Sequence, residues 1–251
     1  MSVEKLKQLH HQQQPLMIAN TWDAISAKAA EKAGLKVMGT SSHAIANMLG
    51  YEDGEVIPFN EMFFVIEKIV KASSLLVSCD IEAGYSDEPN EVAENVKKLV
   101  DIGVVGINLE DGLTKGKDRK LGEISVLAEK IRAIKSLLKN ENKDIYINAR
   151  IDTYTTKSSN ALEETLKRIK AYEEAGADGF FIPLINEEND LKKVFETTKL
   201  PINVFLKDGL KTYDEFAELG AHRVSSGNAV HAATTKLIEQ SFEKLNKQHS
   251  I

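Results

Sequence analysis

Short apolar runs of strand length recur eight times along the chain, each followed by a segment whose apolar residues fall at helical spacing. The runs occupy 16–19, 37–40, 75–80, 105–109, 145–149, 179–183, 202–205 and 223–225. Helical patterns cover 24–33, 60–72, 90–102, 125–138, 161–175, 188–197, 213–219 and 229–244. This alternation is the pattern of βα units, in which crossover helices join parallel strands, and it argues against a sandwich of hairpins. Four helical segments close on one phrase before the next strand: Ala33-Gly34-Leu35, Ile102-Gly103-Val104, Ala175-Gly176-Ala177 and Leu219-Gly220-Ala221. Glycine there fits the left-handed residue that ends a helix and turns the chain. Eight such units in 251 residues predict an α/β fold, one closed (β/α)8 TIM barrel spanning 1–251. An open doubly wound sheet normally has fewer strands and a nucleotide-type glycine loop, and no such loop follows the first strand.

With 42% hydrophobic residues the chain can fill a core of that size. A formal net charge of −6, without a basic arm interleaved with aromatics, disfavours a general polyanion binder, so no nucleic-acid partner is expected. A pocket can still be locally positive and take a small anion. Cys79 is the single cysteine, which precludes an intramolecular disulfide framework and suits a reducing compartment. Residues 1–14 are polar, and no run approaches the roughly 18 apolar residues of a membrane span. The expectation is a cytoplasmic protein with no membrane partner.

Barrels of this kind carry their chemistry where strands end and βα loops begin. The second strand ends in Thr40-Ser41-Ser42-His43, with Asp53 in its loop; the third ends in Asp80-Ile81-Glu82-Ala83-Gly84-Tyr85. The fourth ends in Asn108-Leu109-Glu110-Asp111, the fifth in Asn148-Ala149-Arg150-Ile151-Asp152 and the eighth in Ser225-Ser226-Gly227-Asn228. Alternation along an extended chain puts Asp80 and Glu82 on one side, with Glu110 on the neighbouring strand. Carboxylates converging there would repel one another, and a hard divalent cation with oxygen ligands relieves that; Mg²⁺ fits best where no thiolate or multi-histidine set is available. Arg150 offers a planar fork to a carboxylate or phosphonate. Singly, Asp80 or Glu110 reads equally well as a structural ion pair; with Arg150 the functional reading leads. His43 reads as a wall residue, Cys79 as packing behind the barrel, and Trp22 as lining the mouth or packing beneath it. The charged run from Lys115 through Lys117 to Lys120 reads as a solvated loop placed where a lid would hang.

At these residues the chain resembles the isocitrate lyase/phosphoenolpyruvate mutase superfamily. The resemblance covers 18–237 and is densest in Ala19-Asn20-Thr21-Trp22-Asp23-Ala24, Gly39-Thr40-Ser41-Ser42, Leu49-Gly50-Tyr51-Glu52-Asp53, Asp80 to Tyr85, Gly106 to Asp111 and Asn148 to Tyr154. The resemblance implies that Asp80 binds Mg²⁺ directly while Asp53, Glu82 and Glu110 hold its waters. It implies that Ser41, with the amides of Ser42 and His43, takes the carboxylate or phosphonate end of the substrate beside Arg150. Trp22 and Asn228 join the candidate substrate contacts, and Arg150, Glu110 and Ser41 the candidate catalytic groups. It also implies a homo-oligomer, a dimer or tetramer, in which the helix over 229–244 is exchanged between subunits.

Members share an enolate of a pyruvate-like acid, stabilised where charge develops on oxygen. The carbon–carbon lyases of the family resemble one another in a Lys-x-Cys-Gly-His lid, whereas the loop over 112–122 has neither Cys nor His. It has Thr114-Lys115 and Lys117 but lacks the Asn of the mutase lid, and Asn228 stands near the place where oxaloacetate decarboxylases carry His. The resulting expectation is a Mg²⁺-dependent lyase acting on a small 2-oxo dicarboxylic acid, because loss of CO₂ from a chelated 2-oxo acid needs an electron sink and no initiating protein base. The alternatives are phosphonate P–C chemistry, a non-catalytic 2-oxo acid binder, and a phosphate site built on Ser225 to Asn228 at a helix N-terminus.

Overall fold

Parallel strands close into a ring when each is followed by a helix that covers its outward apolar face. The computed structural model describes residues 2–115 and 118–249. It begins with α1 (Val3–Leu9), β1 (Leu16–Thr21), α2 (Ala24–Lys32), β2 (Val37–Thr40), α3 (Ser42–Met48), α4 (Phe59–Ala72), β3 (Leu76–Asp80) and α5 (Pro89–Asp101). There follow β4 (Gly106–Glu110), β5 (Gly112–Lys115), β6 (Asp118–Leu121), α6 (Ile124–Asn140), β7 (Tyr146–Arg150) and α7 (Ala161–Ala175). The chain ends with β8 (Gly179–Phe181), α8 (Glu188–Thr197), β9 (Ile202–Phe205), α9 (Tyr213–Leu219), β10 (Arg223–Ser225) and α10 (Ala229–Gln248).

The barrel closes in the order β1-β10-β9-β8-β7-β4-β3-β2, every neighbouring pair parallel, so the predicted fold is correct. The glycine stops have φ of +82° at Gly34, +102° at Gly103, +106° at Gly176 and +100° at Gly220, the left-handed region expected of them. Cys79 is fully buried in the layer between barrel and helices, as its alternation with Asp80 requires, and burial pushes its thiol up. No helix among the described residues is long and apolar enough to cross a membrane.

Register sets the height of each side chain in the mouth. Asp80 pairs with Asn108, whereas Glu110 pairs with Arg150. Glu110 therefore stands two residues above the level of Asp80, about 6.6 Å along the strand direction.

Three elements have no counterpart in the sequence expectations. The first, α1, closes the lower mouth: Leu6 is fully buried against Leu16, Ile18, Val37, Leu76, Val105 and Tyr146. Val3, Leu6 and Leu9 fall at helical spacing and pack on one cluster, but seven residues are too short a stretch for that period to stand out. The second, α3, starts directly after β2 and is capped by the Ser41 hydroxyl. The third is the antiparallel β5–β6 hairpin, which occupies the predicted lid segment. The solvated-loop reading of this charged run is corrected at Arg119, which turns into the mouth; Lys117 lies outside the described residues.

Because Leu6 is the plug, Leu6→Ala should cost about 2–4 kcal/mol of unfolding free energy. Chemical denaturation measures it, and a loss below about 0.5 kcal/mol, ordinary for a surface site, would show that α1 is not part of the core.

Candidate active site

A cavity of about 210 Å³ lies at the C-terminal ends of the barrel strands. Seven predicted residues line it: Ser41, Ser42, His43, Asp53, Asp80, Arg150 and Asn228. Asn20, Asn108, Arg119, Phe181, Pro183, Phe205, Ser225 and Gly227 complete the wall.

Asp80 ends β3 and is held from two sides. Its backbone N–H donates to Thr40 Oγ1 at 2.9 Å, and Ser42 Oγ donates to its Oδ2 at 2.8 Å. Its Oδ1 is buried without a hydrogen-bond partner. Burial pushes the carboxyl above its usual range, while Arg150 and Ser42 pull the other way. A buried, half-satisfied carboxylate next to a cavity is costly unless something cationic occupies the free oxygen.

Of the four predicted carboxylates, Asp80 and Asp53 line the cavity, while Glu82 and Glu110 lie outside its lining. Among the described residues no group of three or more His, Cys, Asp or Glu side chains could together hold a metal ion. Glu82 departs from alternation because β3 has ended: its φ is +50°, in the left-handed region. Its Oε2 accepts from the Glu55 amide at 2.9 Å and its Oε1 from the Tyr85 hydroxyl at 3.2 Å. Burial, with Asp80 and Asp53 adding repulsion, pushes Glu82 up to about 8. Asp53 faces His43, Oδ2 to Nδ1 3.6 Å. Although burial opposes it, His43 together with Arg119 and Arg150 holds Asp53 below the usual carboxylate range.

Glu110 is the ion-paired group that the structural reading anticipated. Its Oε1 accepts from Arg119 Nη1 at 2.7 Å, and its Oε2 lies 2.8 Å from Arg150 Nη1. Asp152 completes a square: Oδ1 accepts from Arg150 Nε at 2.9 Å and Oδ2 from Arg119 Nη1 at 2.5 Å. Burial pushes Glu110 upward against Arg150 and Arg119; Asp152 is held low by the same two guanidiniums despite its burial. Arg150 also lies over the Phe181 ring, 5.7 Å from its centroid.

A second network fixes the hairpin base. Asp111 Oδ1 accepts from the Asp152 amide at 2.9 Å, and its Oδ2 accepts from Arg168 Nη1 at 2.8 Å and the Tyr172 hydroxyl at 2.9 Å. Arg168 Nη2 donates to the Gly122 carbonyl at 2.9 Å. Gly112 has no room for a side chain, since a Cβ there would overlap Asp152 Oδ2 and lie 3.1 Å from Arg119 Nη1.

Ser41 lines the cavity, but its hydroxyl accepts from the Ala44 amide at 3.3 Å as a helix cap. The amides of Ser42 and His43, in the first turn of α3, find no acceptor among the described residues. Asn228 lines the wall at the start of α10, where its side chain makes no capping bond. Trp22 is not in this wall; it packs into the helix-side core and meets His231 edge-on, ring centroids 4.9 Å apart. Sequence reasoning gave Arg119 and Asp152 no role. Asp152 was detectable, two residues beyond Arg150 on an extended chain; nothing in the sequence separates Arg119 from its charged neighbours.

The Asp53 carboxylate, 3.6 Å away, raises His43 above its ordinary value, against the effect of burial. The pair's attraction is therefore complete below that ordinary value and is lost as the pH rises through the elevated one. In metal-free protein, Asp53→Asn should shift the His43 titration to lower pH, followed by NMR of the imidazole protons. An unmoved titration would show that the two side chains do not interact.

Residues 6–246 match the family model for phosphoenolpyruvate phosphomutase. An uncharacterized protein of Mycobacterium tuberculosis (strain H37Rv) is 35% identical over 225 residues, 90% of this chain and 82% of that one. The 2-methylisocitrate lyase of Bacillus subtilis (strain 168) is 28% identical over 245 residues, 93% of this chain and 78% of that enzyme. Among solved structures, a candidate phosphonomutase from Burkholderia cenocepacia J2315 superposes with a TM-score of 0.90 at 32% identity, covering 96% of this chain and 99% of that one.

Proposed function

The chain belongs to the phosphoenolpyruvate phosphomutase family of the isocitrate lyase/phosphoenolpyruvate mutase superfamily, and from that premise we propose that it is a Mg²⁺-dependent lyase forming an enolate from a small 2-oxo dicarboxylic acid. The observation that carries this reading is the free, buried Oδ1 of Asp80 in one cavity with Arg150. The donor set suits Mg²⁺: the carboxylates are hard oxygen ligands, the single thiol is buried behind the barrel, and a cation held by one carboxylate keeps the waters that Mg²⁺ gives up reluctantly. In this reading Asp80 is the direct ligand and Asp53, which lines the same cavity, accepts from such waters, with Glu82 and Glu110 as further candidates. The bound ion supplies a Lewis acid at the oxygen on which negative charge develops.

The remaining work falls to the chain's own groups. Arg150 is fixed by Asp152 and Glu110, so its guanidinium meets the developing oxyanion without reorganisation. Phe181 and Phe205, in edge contact at 6.0 Å between centroids, wall off water. Decarboxylation suits this site better than thiol-assisted cleavage, because the only cysteine is turned away. Phosphonate chemistry is the second reading, favoured by the unpartnered amides of Ser42 and His43 beside the cavity.

The test is a Mg²⁺-dependent turnover screen against oxaloacetate, related 2-oxo and 2-hydroxy diacids and phosphonopyruvate. Turnover of a carbon acid should fall by about 10²-fold or more in Asp80→Ala, and kcat/KM by about 10²-fold in Arg150→Lys, which loses the bidentate fork. A new phosphorus resonance from phosphonopyruvate would favour the second reading. Mg²⁺-dependent binding without any turnover would leave a non-catalytic 2-oxo acid binder.

We also infer a homo-oligomer in which α10 packs on a second copy. No residue of α10 is buried within its own chain, and Leu237, Ile238, Phe242 and Leu245 are exposed. An apolar groove of about 640 Å³ on the barrel flank, with Met48, Leu49, Phe64 and Val65 in its wall, offers a matching surface. Phe242→Asp should dissociate the assembly in sedimentation velocity, and a monomeric parent chain would overturn the inference.

A further inference from the structure

The mouth holds two arginines, and the proposed function uses one. Arg119 comes from β6, the return strand of the hairpin, and lines the same cavity as Arg150 and Asp80. Its Nη1 is taken by Glu110 and Asp152, whose side chains are 1% and 0% exposed, while Nε and Nη2 find no partner among the described residues. Its own side chain is 18% exposed, so most of it is buried while it keeps donors to spare. The carboxylates that hold it are the same two that hold Arg150. The shared carboxylates thus hold the two guanidiniums near one another before any ligand arrives, which lowers the ordering cost of binding.

A monoanionic acid seated on Arg150 would leave Arg119 facing an uncharged tail, with its spare donors stripped of water and unpaired. Sites built to pair a polar group reject ligands that lack it for this reason. We propose that Arg119 is a specificity-determining substrate contact that pairs with a second anionic group at the far end of the acid, so that the site selects dianions over monoanions sharing the same 2-oxo acid head. The inference rests on the 2-oxo acid reading above and adds to it the residue that reads the distal charge.

The experiment is isothermal titration calorimetry on the full chain with Mg²⁺, using two inert ligands with one head: N-oxalylglycine, whose tail ends in a carboxylate, and N-ethyloxamate, whose tail of similar length is uncharged. The parent protein should prefer N-oxalylglycine by about 10²-fold or more. Arg119→Met should cut that preference to about threefold or less, read as the ratio of the two affinities so that any loosening of the shared head site through Glu110 and Asp152 cancels; Arg119→Lys, which keeps the charge, should retain part of it. Equal weakening of both ligands in Arg119→Met would reduce Arg119 to a brace for Glu110 and Asp152 and overturn the inference, leaving the 2-oxo acid reading intact. Unchanged preference in Arg119→Met would overturn it in the same way. Failure of the parent protein to bind either ligand would overturn the 2-oxo acid reading, and this inference with it.

Discussion

At the junction of β4 and β7, two carboxylates and two guanidiniums exchange contacts almost entirely out of water. Parallel pairing sets Glu110 level with Arg150, and the extended chain carries Asp152 to the same side two residues later. Burying charges on this scale is costly, and the opposite charges gathered here offset that cost. That pairing reaches beyond the barrel strands. The fourth member, Arg119, has to be delivered by a hairpin, and the hairpin needs Gly112 to pass Asp152 and the Asp111–Arg168–Tyr172 network to hold its base. The upper mouth is therefore one electrostatic unit, in which the chemistry of Arg150 depends on residues over a long stretch of chain.

Asp80 stands outside that unit and is treated differently. Its backbone and one oxygen are fixed by Thr40 and Ser42, while the other oxygen is left open to the cavity. Glu82 and Asp53 each have a partner of their own, so the negative charge of the mouth is divided among separate sites. Below it the interior is also polar: Asn148 Nδ2 donates to Asn108 Oδ1 at 2.9 Å and to Asn203 Oδ1 at 3.2 Å. Arg223 lies lower still, fully buried, its Nη2 reaching Ser78 Oγ at 3.4 Å, and burial pushes it down to about 10. Apolar packing returns at the floor, where α1 inserts Leu6. The barrel is thus layered from charged mouth through amide middle to hydrocarbon plug.

The eight βα repeats were legible because strand and helix periods are local properties, written in the spacing of apolar residues. The glycine stops were legible for a related reason: only a residue without Cβ takes the left-handed turn cheaply. Asp80, Arg150 and the Ser41-Ser42-His43 step were legible as polar groups at strand ends, once the barrel was inferred. α1 was not, because seven residues are too short a stretch for the spacing of Val3, Leu6 and Leu9 to stand out, and their packing depends on the lower mouth being open to receive them.

The sequence by itself determined the barrel and which strand ends carry polar chemistry. Tertiary structure alone decided which charges meet. Strand register separated Glu110 from Asp80 and joined it to Arg150, a left-handed turn took Glu82 off the strand, and hairpin pairing turned Arg119 inward from a run of charge that read as solvated. Electrostatic pairing acts through space between residues far apart in the chain, and neither composition nor period records those distances.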